Sequence, residues 1–193
     1  MMKKTWIALV ILAAAVPLAA NEFDLPPGKW WENQRVIDFV EITGEQQEQI
    51  GDLGLTTGAN AVIEALDRLG DVKKISVLTP YQPIGDENVV KFFSESGYDI
   101  GEVYGLRCEN TTDAIAGTPF SDVFEAVQKI DRGDVDAIVQ VGTNLSTSDV
   151  FPTIEKMLGK PVVPINIATA WHALRDCGVD DRFDGMGRLF EEF

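Results

Sequence analysis

The sequence predicts an α/β fold: one doubly wound lobe on a four-stranded parallel sheet, preceded by a short helical N-terminal segment. Two observations predict it. From about position 53 onward, helix-like and strand-like segments alternate along the chain. The strand-like segments are also near-continuous apolar runs rather than apolar–polar alternations. Strands of that kind are buried on both faces, which calls for helices on both sides of a parallel sheet.

The elements follow in order. Ala61, Ile63, Ala65, Leu66 and Leu69 put an apolar face on a helix that Gly70 ends. "KKISVLTPY" is a buried strand broken at Pro80. The pattern then gives a helix over 87–96, a strand over 100–106, a helix over 121–132 and a strand over 137–141. A helix over 148–158, a strand over 162–165 and a final helix over 169–177 complete four strands. The strand at 137–141 runs into Gly142, Thr143 and Asn144. A strand ending in a small polar loop is where open α/β sheets take their ligands.

The head of the chain has a different texture. In "MMKKTWIALVILAAAVPLAA", Lys3 and Lys4 precede an apolar run from Trp6 to Val16, then Pro17 and the small residues Ala19 and Ala20. This is the pattern of a secretory signal cleaved around Ala20. The run is too short and too rich in alanine for a stable membrane span. A buried N-terminal strand or helix is the alternative. Over 21–52, Pro26, Pro27 and Gly28 give an extended start, and Val36, Ile37 and Val40 suggest a short amphipathic helix. Thr43 followed by Gln46 has the spacing of a capping box. "LPPGKWW" and "ITGEQQEQI" resemble the opening of small periplasmic helical proteins of the Spy/CpxP and heavy-metal-sensor type, with Ile42 in place of the leucine of their Leu-Thr-x-x-Gln motif.

Charge narrows the function classes. With 31 acidic residues against 16 basic ones, the chain lacks the cations that phosphate backbones require, so nucleic acid is not expected as a partner. A small anion stays possible, because a few oriented backbone amides outweigh global charge locally. Cys108 and Cys177 form no CxxC pair, and one histidine with no HExxH leaves no metal-binding spacing. Two unpaired thiols and no metal are the expectation, since a core of this size needs no staple.

The blocks "LGLTTGANAVIEAL", "ISVLTPY", "VQVGTNL", "LGKPVVPINIATAWHALRDCG" and "GMGRL", from about Leu53 to Phe193, resemble the aspartate/glutamate racemase superfamily in its maleate isomerase and arylmalonate decarboxylase branch. The resemblance implies two similar lobes closing on a small mono- or dicarboxylic acid without a cofactor. Each lobe brings one loop to the substrate, usually bearing a cysteine. Racemases use the pair as acid and base, maleate isomerases add a thiolate to the double bond, and arylmalonate decarboxylases protonate an enediolate. In all three, loop amides and hydroxyls hold the carboxylates beside oriented donors.

Carried onto this chain, the second-lobe cysteine of the Cys-Thr-Asn-Leu motif falls on Gly142, while Thr143 and Asn144 are retained as substrate-binding groups. Tyr81 matches the family tyrosine that hydrogen-bonds a substrate carboxylate, and it is also the candidate for moving a proton. Asn110 in "CENTTD" matches another substrate-contacting asparagine, and Thr79 with Pro80 shapes the first loop. A whole first lobe with its own cysteine should precede Leu53, yet no cysteine precedes position 108. Cys108 is either a relocated thiol or a half-buried small apolar residue. Cys177 and His172 read as packing residues, and "LFEEF" and "DDRFD" as solvated surface.

Three functions stay open. The chain is an isomerase or decarboxylase-like enzyme acting on a small carboxylate, a non-catalytic carboxylate-binding lobe that could homodimerise, or a truncated or chimeric exported product. A functional signal would place it in the periplasm; the racemase-type family is otherwise cytoplasmic.

Overall fold

A computed structural model of the chain describes residues 9–10, 55–109 and 111–193. The signal-peptide and helical readings of 1–52, apart from Leu9–Val10, lie outside the described residues, as does Asn110. Strand β1 (Leu9–Val10) pairs in parallel with β2 (Leu55–Thr56). The main sheet contains β3 (Lys74–Thr79), β4 (Asp99–Gly105), β5 (Ala137–Gln140) and β6 (Val162–Pro164), all parallel, in the order β4-β3-β5-β6.

Side chains alternate across this sheet as strand geometry requires. Ile75 and Val77 of β3, with Ala137 and Val139 of β5, face one core. That core is closed by α1 (Gly58–Leu69), α2 (Pro83–Glu95), α6 (Ile165–Asp176) and α7 (Arg188–Glu192). Leu78 and Ile138 face the other, closed by α3 (Thr112–Ala116), α4 (Phe120–Ile130) and α5 (Phe151–Leu158). Both faces are covered, as the apolar strand runs demand.

Two helix starts differ from the sequence pattern, one for a local reason and one for a tertiary one. The second helix begins at Pro83, ahead of the expected 87, because proline lacks the N–H that a first helical position leaves unpaired anyway. The last long helix begins at Ile165 rather than 169. The β-branched Ile165 reads as the end of a strand, but Ile167 two residues on is buried against the α1 side of the core, and tertiary packing overrides propensity. In α1 the start is fixed by a capping box: the Thr57 hydroxyl accepts the Asn60 N–H at 3.2 Å and the Asn60 carboxamide accepts the Thr57 N–H at 2.6 Å.

The C-terminal "LFEEF" is a correction. Leu189 and Phe190 are core residues, 5% and 1% exposed, not solvated surface. Arg175 on α6 anchors this end by donating to the carbonyls of Val179 and Phe193, at 2.7 and 3.0 Å. "DDRFD" is exposed throughout. Glu155 ties the same end to β6: its carboxylate accepts the Val162 N–H at 2.9 Å and the Arg188 N–H at 2.6 Å.

Burial pushes the Glu155 carboxyl above the usual glutamate range, against the opposing pull of those two N–H bonds. The folded state therefore holds this proton more tightly than the unfolded chain. Stability from this group is fully present below the ordinary carboxylate range and is lost as pH rises through the raised folded value. The difference in urea-unfolding stability between the native chain and Glu155→Gln will carry this slope across that window, the other carboxylates cancelling in the subtraction.

Among the described residues no helix is long and apolar enough to cross a membrane.

The connections decide where a ligand can sit. From β3 the chain crosses by α2 to β4 on one side, then returns by α3 and α4 to β5 on the other side of β3. Strand order thus reverses between β3 and β5. Open α/β sheets bind ligands in the crevice outside the carboxyl ends of such a pair.

Candidate functional site

Two loops meet at that crevice, one leaving β3 through Thr79, Pro80 and Tyr81, the other leaving β5 through Val141, Gly142 and Thr143. They are joined by the sheet ladder carried one residue further, with the Val141 N–H donating to the Leu78 carbonyl at 3.0 Å. On the other side, Leu106 and Cys108 donate to the carbonyls of Thr79 and Pro80, at 2.8 and 3.1 Å. The Thr79–Tyr81 loop is therefore held between the segments that follow β4 and β5.

Gly142 is buried at φ +94°, in a region that favours glycine. A Cβ placed there would lie 2.5 Å from Pro80 Cγ, 2.6 Å from Pro80 Cδ and 3.6 Å from the Tyr81 hydroxyl oxygen. The bare glycine backbone thus packs on the proline ring, with the phenol close by.

The turn is locked from inside. Gln140, the last residue of β5, is fully buried, and its carboxamide donates to the carbonyls of Val141 at 2.6 Å and Gly142 at 3.0 Å. Its oxygen accepts the hydroxyl of Thr147, also fully buried, at 3.0 Å. Asn166, on the first turn of α6, donates to the Thr143 carbonyl at 2.9 Å. Three successive carbonyls, the groups that would repel an anion, are thus all engaged by protein donors. The Leu145 N–H closes the turn onto the Gly142 carbonyl at 3.1 Å.

Tyr81 is half-buried, and burial, followed by the negative charge of Asp86, pushes its phenol above the usual tyrosine value. At neutral pH the hydroxyl is a proton-bearing donor. Thr79 is fully buried and its hydroxyl is shared: it donates to Asp86 at 2.5 Å and accepts the Tyr81 N–H at 3.1 Å.

The remaining sequence candidates lie as follows. Thr143 and Asn144 are half-buried beside Gly142. Cys108 is half-buried, its sulfur 3.4 Å from the Thr118 hydroxyl, and it packs against the core on the α4–α5 face. Cys177 caps the end of α6. His172 is buried in α6, hydrogen-bonded to Thr56 at 2.9 Å and 3.3 Å from the Asp176 carboxylate. It stands about two helical turns below the start of α6. No cluster of metal-ligating side chains occurs among the described residues.

Gln140, Thr147, Asn166, Asp86 and Arg107 support the site without having been singled out by sequence reasoning. Gln140 carried a signal, being the one polar residue in the run "AIVQV". The others did not.

Known proteins match this chain as follows. The arylmalonate decarboxylase family model matches residues 35–190, beginning ahead of Leu53 and inside the segment compared with periplasmic helical proteins. The chain is 30% identical over 187 residues to the arylmalonate decarboxylase of Bordetella bronchiseptica, covering 93% of this chain and 72% of that protein. It is 27% identical over 167 residues to the maleate isomerase of Nocardia farcinica, covering 86% of this chain. It spans 64% of that relative's length. A solved structure of the Nocardia farcinica maleate cis-trans isomerase, a variant with a covalently bound succinylcysteine intermediate, superposes with a TM-score of 0.73 at 26% identity, covering 84% of this chain and 65% of that one.

Proposed function

The chain belongs to the arylmalonate decarboxylase family, and from that premise we propose that its lobe binds a small mono- or dicarboxylic acid at the β3/β5 switch point. Tyr81, Thr143 and Asn144 hold the carboxylate in this reading. One observation carries it: the carbonyls of residues 141–143 are drawn inward by Gln140 and Asn166, beside a phenol that remains a donor. A turn with its acceptors withdrawn and a half-buried donor next to it suits an anion, and donors shielded from water in a low-dielectric crevice act more strongly than exposed ones.

The same geometry argues against thiol chemistry at position 142. The Nocardia farcinica structure carries a succinyl group on a cysteine. That bond needs a sulfur, and in this reading Gly142 occupies the corresponding place with the Pro80 ring filling the space of a Cβ. Binding without turnover is therefore the function the site supports best.

A second reading rests on the nearness of the Tyr81 hydroxyl to that same place, 3.6 Å from the Cβ position. In a decarboxylation the bond from the α-carbon to one carboxylate breaks, carbon dioxide leaves, and the electron pair stays as an enediolate. The Tyr81 O–H then gives its proton to the α-carbon, and solvent restores the phenol.

Calorimetric titration with maleate and with phenylmalonate tests the binding. Tyr81→Phe should weaken the acid that binds by about tenfold, the scale of one hydrogen bond to a charged group. No binding of either acid by the native chain, or equal binding by the variant, would sink the proposal. Proton NMR of the same mixtures reports turnover and decides the second reading.

A further inference from the structure

We propose that Arg107 and Asp86 are positioning residues that set Tyr81 in the crevice; the inference deepens the carboxylate-binding reading and rests on it for its function. The two residues close a ring of bonds around the Tyr81 backbone. The Tyr81 N–H donates to the Thr79 hydroxyl, which donates to one oxygen of Asp86. Arg107 Nη1 donates to the other oxygen of Asp86 at 2.5 Å and to the Tyr81 carbonyl at 2.6 Å. Both backbone polar groups of Tyr81 therefore lead to the same buried carboxylate. Asp86 stands on the first turn of α2, where a negative charge is favoured by the helix N-terminus.

Two costs show that the ring is built rather than incidental. Arg107 has φ +57°, the left-handed region that a residue with a side chain enters only against strain. Gly105 leaves room for the guanidinium on the strand. A Cβ there would collide with Arg107 Nη1 and lie 2.6 Å from both Arg107 Cζ and the Asp86 carboxylate. The Arg107 side chain is 45% exposed, and ion pairs with an exposed partner add little to stability. What the arrangement does secure is direction: it fixes the Tyr81 peptide, and hence where the phenol points. A lysine in place of Arg107 supplies the charge but not the planar fork.

The test reads Tyr81 directly. The chain has three tyrosines, so alkaline ultraviolet titration of a protein minus its Tyr81→Phe counterpart isolates this phenol. In Arg107→Met the loop is released, and Tyr81 should titrate at lower pH than in the native chain as it leaves its buried seat. The direct charge effect has the opposite sign, since removing a cation raises a phenol. Maleate affinity should fall by about 10- to 100-fold, the scale of losing charge-assisted hydrogen bonds. Arg107→Lys should fall between the two on both readouts, and it carries the test if Arg107→Met loses its cooperative thermal transition. A Tyr81 titration that stays put or moves up would overturn the proposal. If the native chain binds neither maleate nor phenylmalonate, the carboxylate reading fails alone, and the titration still decides the positioning role.

Discussion

Gly142→Cys will destabilise the lobe by about 2–6 kcal/mol, from backbone strain and overpacking in similar measure, and will create no working thiol. Residue 142 sits at φ +94°, and a residue with a side chain held in a sparsely populated backbone region costs about 1–3 kcal/mol. Its Cβ would also lie 2.5 Å from Pro80 Cγ. The proline ring is fused to its own backbone and Pro80 is buried, so it cannot swing aside as a flexible side-chain tip could. Forcing that overlap costs a further ~1–3 kcal/mol. Gly142→Ala should cost about as much, because the penalty comes from the Cβ and not from the sulfur. Removing the ring should return part of it, so that Pro80→Ala with Gly142→Cys shows a favourable coupling of about 1–3 kcal/mol in a double-mutant cycle. Urea midpoints at unchanged slope measure the four proteins of the cycle and Gly142→Ala. A Gly142→Cys chain within about 0.5 kcal/mol of the native one, the spread of neutral surface changes, would mean that the loop does not take this conformation.

The sheet and the ligand end of the lobe were legible in the sequence for a plain physical reason. Strands buried on both faces are apolar at most positions, so "KISVLT" and "AIVQ" announce themselves even with Ser76, Thr79 and Gln140 buried among them, and the residues just past them fall at the carboxyl edge. The Gly142 loop could be picked out because it stands at a strand end, whereas Tyr81 was singled out by its match to the family tyrosine. The helix start at Ile165 was harder, since it is settled by packing partners far along the chain, whereas the start at Pro83 carries a local signal in the proline itself. Leu189 and Phe190 were misread because two apolar residues beside "EE" have too short a period to show a face. Asp86 and Arg107 were invisible for a different reason. They lie 21 positions apart and meet only because β3 and β4 are neighbours, and nothing about an arginine in "GLRCEN" marks its left-handed backbone.

Gln140→Leu will cost about 2–4 kcal/mol, because it strips partners from buried polar groups while leaving the groups themselves in place. Gln140 is fully buried, and its carboxamide serves the Val141 and Gly142 carbonyls and the Thr147 hydroxyl. The Val141 carbonyl, left without a donor, costs roughly 1–3 kcal/mol, while the Gly142 carbonyl loses less because it keeps the Leu145 N–H at 3.1 Å. Thr147 loses less, since its hydroxyl also reaches the Leu145 carbonyl at 3.4 Å. Leucine restores apolar volume, so the loss measures the bonds more than a cavity. Gln140→Glu should be worse still: a carboxylate offers only acceptors to two carbonyls, and an unpaired charge would be buried with them. The functional consequence separates this residue from ordinary packing. With its inward donor gone, the Val141 carbonyl can turn toward the crevice and face an incoming anion, and the Gly142 carbonyl is held by the Leu145 N–H alone. Maleate affinity should then fall in Gln140→Leu even at temperatures where circular dichroism shows the variant fully folded. A stability loss with affinity unchanged would make Gln140 a structural residue alone and would remove the inward-held carbonyls from the account of carboxylate binding.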